Sequence, residues 1–185
     1  FYAGPYASRL LAALGADVIK VEPAVGDPLR GLKVVFRAAQ ANKRSLAADL
    51  KADPLHRARH RLLEWADVVH HNMRPGVAER LGLGAADVHA VDPSTVYVYA
   101  PGWGSTGPDA QRQSFAPKLS GFVGAGFEVA GRWNPPLFPV GNEDPGGGVI
   151  GAIAILLGLL HRQRTGAGRY IESPQINATL FGMSH

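Results

Sequence analysis

Asp67-Val68-Val69-His70-His71 and, further on, Thr95-Val96-Tyr97-Val98-Tyr99 are the stretches whose reading decides the fold. Both are short and rich in β-branched or aromatic residues, which marks strands. Ahead of the first, Leu55, Ala58, Leu62 and Ala66 recur at helical spacing behind Asp53-Pro54, an N-cap followed by the favoured first-turn proline. Between the two strands come Pro75-Gly76, a short helix through Leu81, Gly82 and Gly84, and a second short helix near Ala86 to Ala90. Strands separated by helical segments imply an α/β protein with a parallel sheet and crossover helices.

The pattern extends outward in both directions. Upstream, Pro5 can occupy the first turn of a helix whose apolar face is Leu10, Leu11 and Leu14 and which Gly15 ends; Val18 to Glu22 then reads as a strand closed by Pro23. Gly26 to Gln40 has turn residues and weak periodicity, so an irregular crossing is expected there, followed by a short strand from Leu46 to Leu50. Downstream, Pro101 to Gly148 is dense in glycine and proline and is expected to form long loops. A helix from Gly148 to about Arg164, the turn Thr165-Gly166-Ala167-Gly168 and a strand Arg169 to Glu172 complete the reading. The first helix lacks a preceding strand, and Asn177 to Phe181 begins a helix that stops almost at once. The chain is therefore expected to be a single domain over residues 1–185, truncated at both ends.

Composition narrows the function. With 185 residues, 46% hydrophobic and 18% charged, the chain can bury one substantial core. Absence of cysteine removes disulfides, thiolate metal sites and a cysteine nucleophile. The longest apolar stretch, Val149 to Leu160, is shorter than the roughly 20 residues a bilayer span needs, so a buried core helix, no membrane association and a soluble protein are expected. The opening residues show no basic-then-apolar leader, which makes the cytoplasm the expected location. A formal charge of +4 arises partly from Lys51, Arg57, Arg59 and Arg61 around His56 and His60. These read as a solvated helix face, or as attraction for a phosphate-bearing ligand. No aromatics are interleaved with them, so nucleic acid is not an expected partner.

The sharpest chemical feature is Asn142-Glu143-Asp144-Pro145-Gly146-Gly147-Gly148, two acids and three glycines directly ahead of an apolar helix. Amides near a helix N-terminus favour negative charge, and glycines leave the backbone open to a ligand. Asp144 is thus expected to stay ionised and approachable, as a carboxylate nucleophile requires. The same pattern is also simple N-capping by Asp144.

Ala3-Gly4-Pro5-Tyr6-Ala7 leading to Leu14 through Pro23, with Gly26-Asp27 and Arg30, resembles the opening of the family III CoA-transferases of the CaiB/BaiF type. The resemblance continues through Asn42 to Leu46, Ala66 to Val69, Asn72-Met73-Arg74-Pro75-Gly76, Arg80-Leu81-Gly82, Gly102 to Pro108, Leu119-Ser120-Gly121, and Arg162 with Thr165 to Gly168. It implies a Rossmann-like large domain, an interlocked homodimer, and transfer of CoA from an acyl-CoA donor to a carboxylic acid through a covalent aspartyl intermediate. By position Asp144 matches the nucleophile, and Tyr2, Ala3, Arg30, Asn72, Met73 and Arg80 match the CoA site. Arginine suits CoA phosphates through paired, charge-assisted hydrogen bonds. Coenzyme A enters as substrate, with no permanently bound cofactor.

One departure stands out. Family members place an acid eight positions before the glycine of Leu119-Ser120-Gly121, and the racemase branch adds a histidine just ahead; here stand Gln113 and Arg112. Racemisation needs a proton donor and acceptor on opposite faces, so this loss argues against an acyl-CoA racemase. A non-catalytic CoA-binding relic is the remaining alternative.

Other candidates are weaker. His56 and His60 lie one helical turn apart without a carboxylate or third ligand, so no metal site is expected. His70 and His71 should face opposite sides of a strand. Gly82-Leu83-Gly84 lacks the third glycine of a dinucleotide fingerprint. Glu22 is expected at a solvated strand end, and Trp65 and Trp103 as packing residues.

Overall fold

The computed structural model describes residues 2–51, 56–137 and 143–184. The expected N-cap at Asp53-Pro54, with Leu55, and Asn142 of the acidic stretch lie outside them. Along the chain run α1 (Ala3–Ala13), β1 (Ile19–Glu22), a 3-10 turn (Pro28–Gly31), α2 (Lys33–Gln40), β2 (Arg44–Ala47), α3 (His56–Trp65), β3 (Val68–His71) and α4 (Val77–Arg80). Then come α5 (Ala85–Val91), β4 (Val96–Tyr99), α6 (Ala116–Val123), α7 (Ala125–Ala130), α8 (Glu143–Thr165), β5 (Tyr170–Glu172) and α9 (Gln175–Gly182).

Every strand pairing is parallel, as the alternation of strands and helices requires. The expected single sheet is present as two: β1 pairs with β2, and β4 lies between β3 and β5. β1 and β3 each keep one unpaired edge, and both line a cavity of about 1000 Å³.

β4 sets the core because its side chains alternate between faces. Val96 and Val98, fully buried, pack with Ile155 of α8, Leu11 of α1 and Ile171 of β5. Tyr97 and Tyr99 point the other way, into a cluster with Leu63 of α3 and Val88 of α5. Helices thus cover both faces of the three-stranded sheet. Gly158 lets α8 lie on this sheet, since a Cβ there would stand 2.8 Å from Ile171 Cδ1.

Four expectations need correction. The segment 26–40 is not irregular: Asp27 accepts a hydrogen bond from Leu29 N–H at 2.8 Å, Pro28 starts a 3-10 turn, and α2 follows. The glycine-rich segment 101–148 contains α6 and α7, joined by Gly124 in the left-handed conformation at φ 79°. The second strand ends at Ala47 and not Leu50. The apolar helix is neither short nor wholly buried. α8 has 23 residues and, by length and composition, could cross a membrane; Val149, Ile153, Leu156, Leu157 and Leu160 are exposed along it.

Candidate active site

α1 and α8 make one of the most intimate contacts in the molecule, and small residues allow it. A Cβ at Gly148 would stand 2.7 Å from the Tyr6 ring and 3.1 Å from the Ala3 carbonyl; at Gly147 it would stand 3.5 Å from Ala3 Cβ and 3.4 Å from Gln175 Cγ. The glycines after Asp144 therefore seat the first turn of α8 on the first turn of α1 and beside the start of α9.

Asp144 lies within the first turn of α8, which begins at Glu143, and not ahead of the helix as expected. It is partly buried, and its Oδ1 accepts a hydrogen bond from the Gln175 side-chain amide. Burial pushes its carboxyl above the ordinary value, while the Gln175 amide and the chain's amino group pull it back. The expectation of a carboxylate held ionised by the helix end is thus corrected: desolvation dominates. Glu143 differs, with one oxygen held by the Ser120 hydroxyl and the other buried without a partner.

The sequence-predicted site residues fall into three groups. Tyr2 and Ala3 stand with Asp144. Tyr2 stacks on Tyr6 with ring centroids 5.2 Å apart, and Asp144 is one of the charges acting on its hydroxyl. Asn72 and Met73 follow β3 and meet the same turn of α1, because a Cβ at Gly4 would stand 2.7 Å from Asn72 Cγ.

The backbone of Met73 is fixed from both sides. Tyr99 OH donates to its carbonyl at 3.0 Å, and its N–H donates to His71 Nδ1 at 3.3 Å. Tyr97 spends its one proton on the Leu83 carbonyl at 3.0 Å, so His71 Nε2–H must donate to Tyr97 OH across 2.7 Å. This fixes the neutral tautomer, in keeping with burial that lowers the imidazole to about 4. His70 points oppositely, as its alternation predicts, toward Gly151 of α8, and is likewise lowered to about 4, first by burial.

Arg30 and Arg80 form the third group. Arg30 is exposed, and its Nη2 pairs with Glu22 Oε1 at 2.5 Å while the guanidinium lies 4.6 Å from the Phe36 ring centroid. Arg80 is an exposed residue ending α4, folded toward Gly76.

Sequence reasoning missed two features. Glu22 is not solvated but only 4% exposed, the acceptor of hydrogen bonds from Arg30, Ser45, Lys20 and the Asp27 amide. These donors, Arg30 foremost, hold its carboxyl down to about 2. Gln175 carried no sequence signal, being 31 residues from Asp144. As for a metal, Glu64 does accompany His60, at 3.3 Å on an exposed face, but no group of three potential ligands occurs among the described residues.

Comparison with known proteins puts this geometry in context. The family description "CoA-transferase family III" matches residues 1–185. A succinyl-CoA:D-citramalate CoA-transferase of Chloroflexus aurantiacus is 32% identical over 183 residues, covering 93% of this chain and 45% of its own length. A mouse succinyl-CoA:glutarate CoA-transferase is 33% identical, with 92% and 41% coverage. A CaiB/BaiF family protein from Brucella suis superposes with a TM-score of 0.90 at 30% identity, over 99% of this chain and 52% of that one. The chain spans about half the length of the curated relatives it matches.

Proposed function

The chain belongs to CoA-transferase family III, and on that premise we propose that the full-length protein transfers CoA from an acyl-CoA to a free carboxylic acid, with Asp144 carrying the acyl group. The observation that carries this reading is the placement of Asp144. It is a partly buried carboxylate with one oxygen held by a neutral amide, in the helix turn that rests on Tyr2 and Ala3.

A carboxylate oxygen of Asp144 attacks the thioester carbonyl and CoA leaves as thiolate, giving a mixed anhydride. The thiolate then attacks the aspartyl carbonyl, expelling the donor acid and forming an aspartyl-CoA thioester. The acceptor carboxylate attacks that thioester in turn, and the released thiolate takes the acceptor's acyl group, restoring Asp144. Tyr2, Ala3, Asn72 and Met73 hold the CoA beside the carboxylate, and Arg30 and Arg80 face its phosphates. Coenzyme A is consumed and regenerated as substrate. The named relatives act on succinyl-CoA, which makes it the first donor to test.

The racemase alternative finds no support in the departing segment, where Arg112 is paired with Asp109 at 2.9 Å and Gln113 is exposed. The proposal includes a homodimer, supported by the uncovered apolar side chains of α8 and by Leu180 and Phe181 of α9. It also includes a cytoplasmic location; sedimentation and cell fractionation test these two points.

The decisive experiment incubates the full-length protein with succinyl-CoA and a panel of other acyl-CoAs, digests it and searches by mass spectrometry for an acyl or CoA adduct on the Asp144 peptide. An adduct that hydroxylamine converts to a hydroxamate, and that Asp144→Asn abolishes, is expected. CoA binding without any adduct, or an adduct that survives the substitution, overturns the assignment.

A further inference from the structure

We propose that Gln175 is a positioning residue for the transfer reaction: its side-chain amide selects which oxygen of Asp144 attacks and then receives the negative charge that develops on the other. The inference rests on the role assigned to Asp144 above.

Gln175 is rigidly placed by backbone contacts that have nothing to do with its side chain. Ser173 N–H donates to the Tyr99 carbonyl at 2.8 Å, Gln175 N–H to the Pro101 carbonyl at 2.8 Å, and Ile176 N–H to the Gly102 carbonyl at 3.0 Å. The start of α9 is thus sewn to the chain leaving β4. Glu172 fastens that loop again, accepting from Ser105 N–H at 2.7 Å and Ser105 Oγ–H at 2.5 Å. The Gln175 side chain passes over Gly147, where a Cβ would stand 3.4 Å from its Cγ, and donates to Asp144 Oδ1. Among the described residues no other hydrogen bond reaches this carboxylate, so Oδ2 is the oxygen left to attack.

The atoms then follow. Oδ2 bonds to the acyl carbon as the thiolate leaves, and Oδ1 becomes the aspartyl carbonyl oxygen, still under the Gln175 amide. When the thiolate attacks that carbon, the carbonyl electron pair moves onto Oδ1, and collapse expels the donor carboxylate with Oδ2 as the bridging oxygen. A donor already aimed at the oxygen that gains charge stabilises this intermediate. A cation in its place would hold the resting carboxylate more firmly and weaken it as a nucleophile. The groups with charge or proton facing Asp144 are Tyr2, with Arg9 beside it, from α1, Glu143 from its own helix, and the chain's amino group; α9 carries no ionisable side chain.

The test compares the full-length protein with Gln175→Met, which keeps shape without the donor, and Gln175→Glu, which adds a proton-sharing carboxyl. Acyl adduct and aspartyl-CoA thioester on Asp144 are quantified against pH. Expected is an acid limb displaced to higher pH in both variants, further for Glu, and thioester formation slowed about 100-fold in the Met variant. A limb that stays put in a folded variant, while the unsubstituted protein forms its adduct, overturns this inference alone. Absence of any adduct in the unsubstituted protein overturns it together with the assigned role of Asp144. Should the Met variant fail to fold, the Glu variant carries the same reading.

Discussion

Glu22 and Asp144 are two carboxylates withdrawn from water and pushed in opposite directions. Glu22, at the end of β1, is the more deeply buried, yet its carboxyl is held down to about 2 because Arg30, Ser45 and Lys20 all donate to it. Asp144 is less buried, yet its carboxyl is raised, because burial is opposed within the fold by one neutral amide. Burial alone thus decides nothing; the charge and number of the donors do. The first arrangement fixes a carboxylate as an anchor, and the second leaves one able to form bonds.

The contrast predicts a double dissociation. Asp144→Asn should lower transfer by at least about 1000-fold, since the covalent route is removed. Its stability at neutral pH should equal or exceed that of the unsubstituted protein. The sign follows from the raised folded value: the carboxyl contributes stability below its unfolded pKa, and this is lost as pH rises through the folded one. Chemical denaturation at pH 7 reads this, and a large loss of stability would erase the distinction.

Glu22→Gln should do the reverse, destabilising by about 2 kcal/mol, below the usual figure for a broken buried ion pair because Arg30 is half exposed and Lys20 keeps Asp27. Here the folded value is depressed. The stability Glu22 provides is complete above its unfolded value of 4.5 and disappears as pH falls toward about 2. Denaturation midpoints between those limits should fall in the unsubstituted protein and stay flatter in the Gln variant.

The two carboxylates also show how far the sequence could be read. The acid and glycine stretch at 143–148 was legible because residue type alone marks a helix start with open backbone. So was β4, whose alternation of Val96 and Val98 with Tyr97 and Tyr99 gives both faces of the sheet. Glu22 was misread because its partners arrive from eight and 23 residues away, through a turn and a neighbouring strand. The Asp27-Pro28 pair, which caps the turn that returns Arg30, was the signal available. α2 was hidden by Val34, Val35 and Phe36, residues of weak helix propensity that tertiary context overrode. Gln175 could be found only in three dimensions.

Lys43 extends the contrast to a cation. Its ammonium donates to the Pro5 carbonyl at 2.6 Å and to Gln40 Oε1 at 2.9 Å, with no carboxylate in reach of a hydrogen bond, and burial lowers it to about 7. The unfolded chain therefore binds the proton more tightly between pH 7 and 10.5, and stability should rise with pH there by roughly 1 kcal/mol per pH unit. Lys43→Met should remove most of that slope. An unchanged slope would assign the pH dependence elsewhere and leave Glu22 as the cluster's sole tuned group.

Arg30→Lys gives the smallest effect and separates the two duties of that side chain. Lysine keeps a charge for Glu22, so the anchor survives, but it forfeits the planar fork and the contact with Phe36. Stability should drop by less than about 1 kcal/mol, in the range of an exposed cation–π contact. If Arg30 also faces a CoA phosphate, as proposed, the dissociation constant for CoA should rise by about threefold to tenfold, the scale of one charge-assisted hydrogen bond. Adduct formation at saturating acyl-CoA should be unaltered, because Asp144 and Gln175 lie in a different part of the fold. Weaker CoA binding with an intact melting profile would show that the Glu22 anchor presents Arg30 to the ligand; unchanged binding would confine Arg30 to holding Glu22.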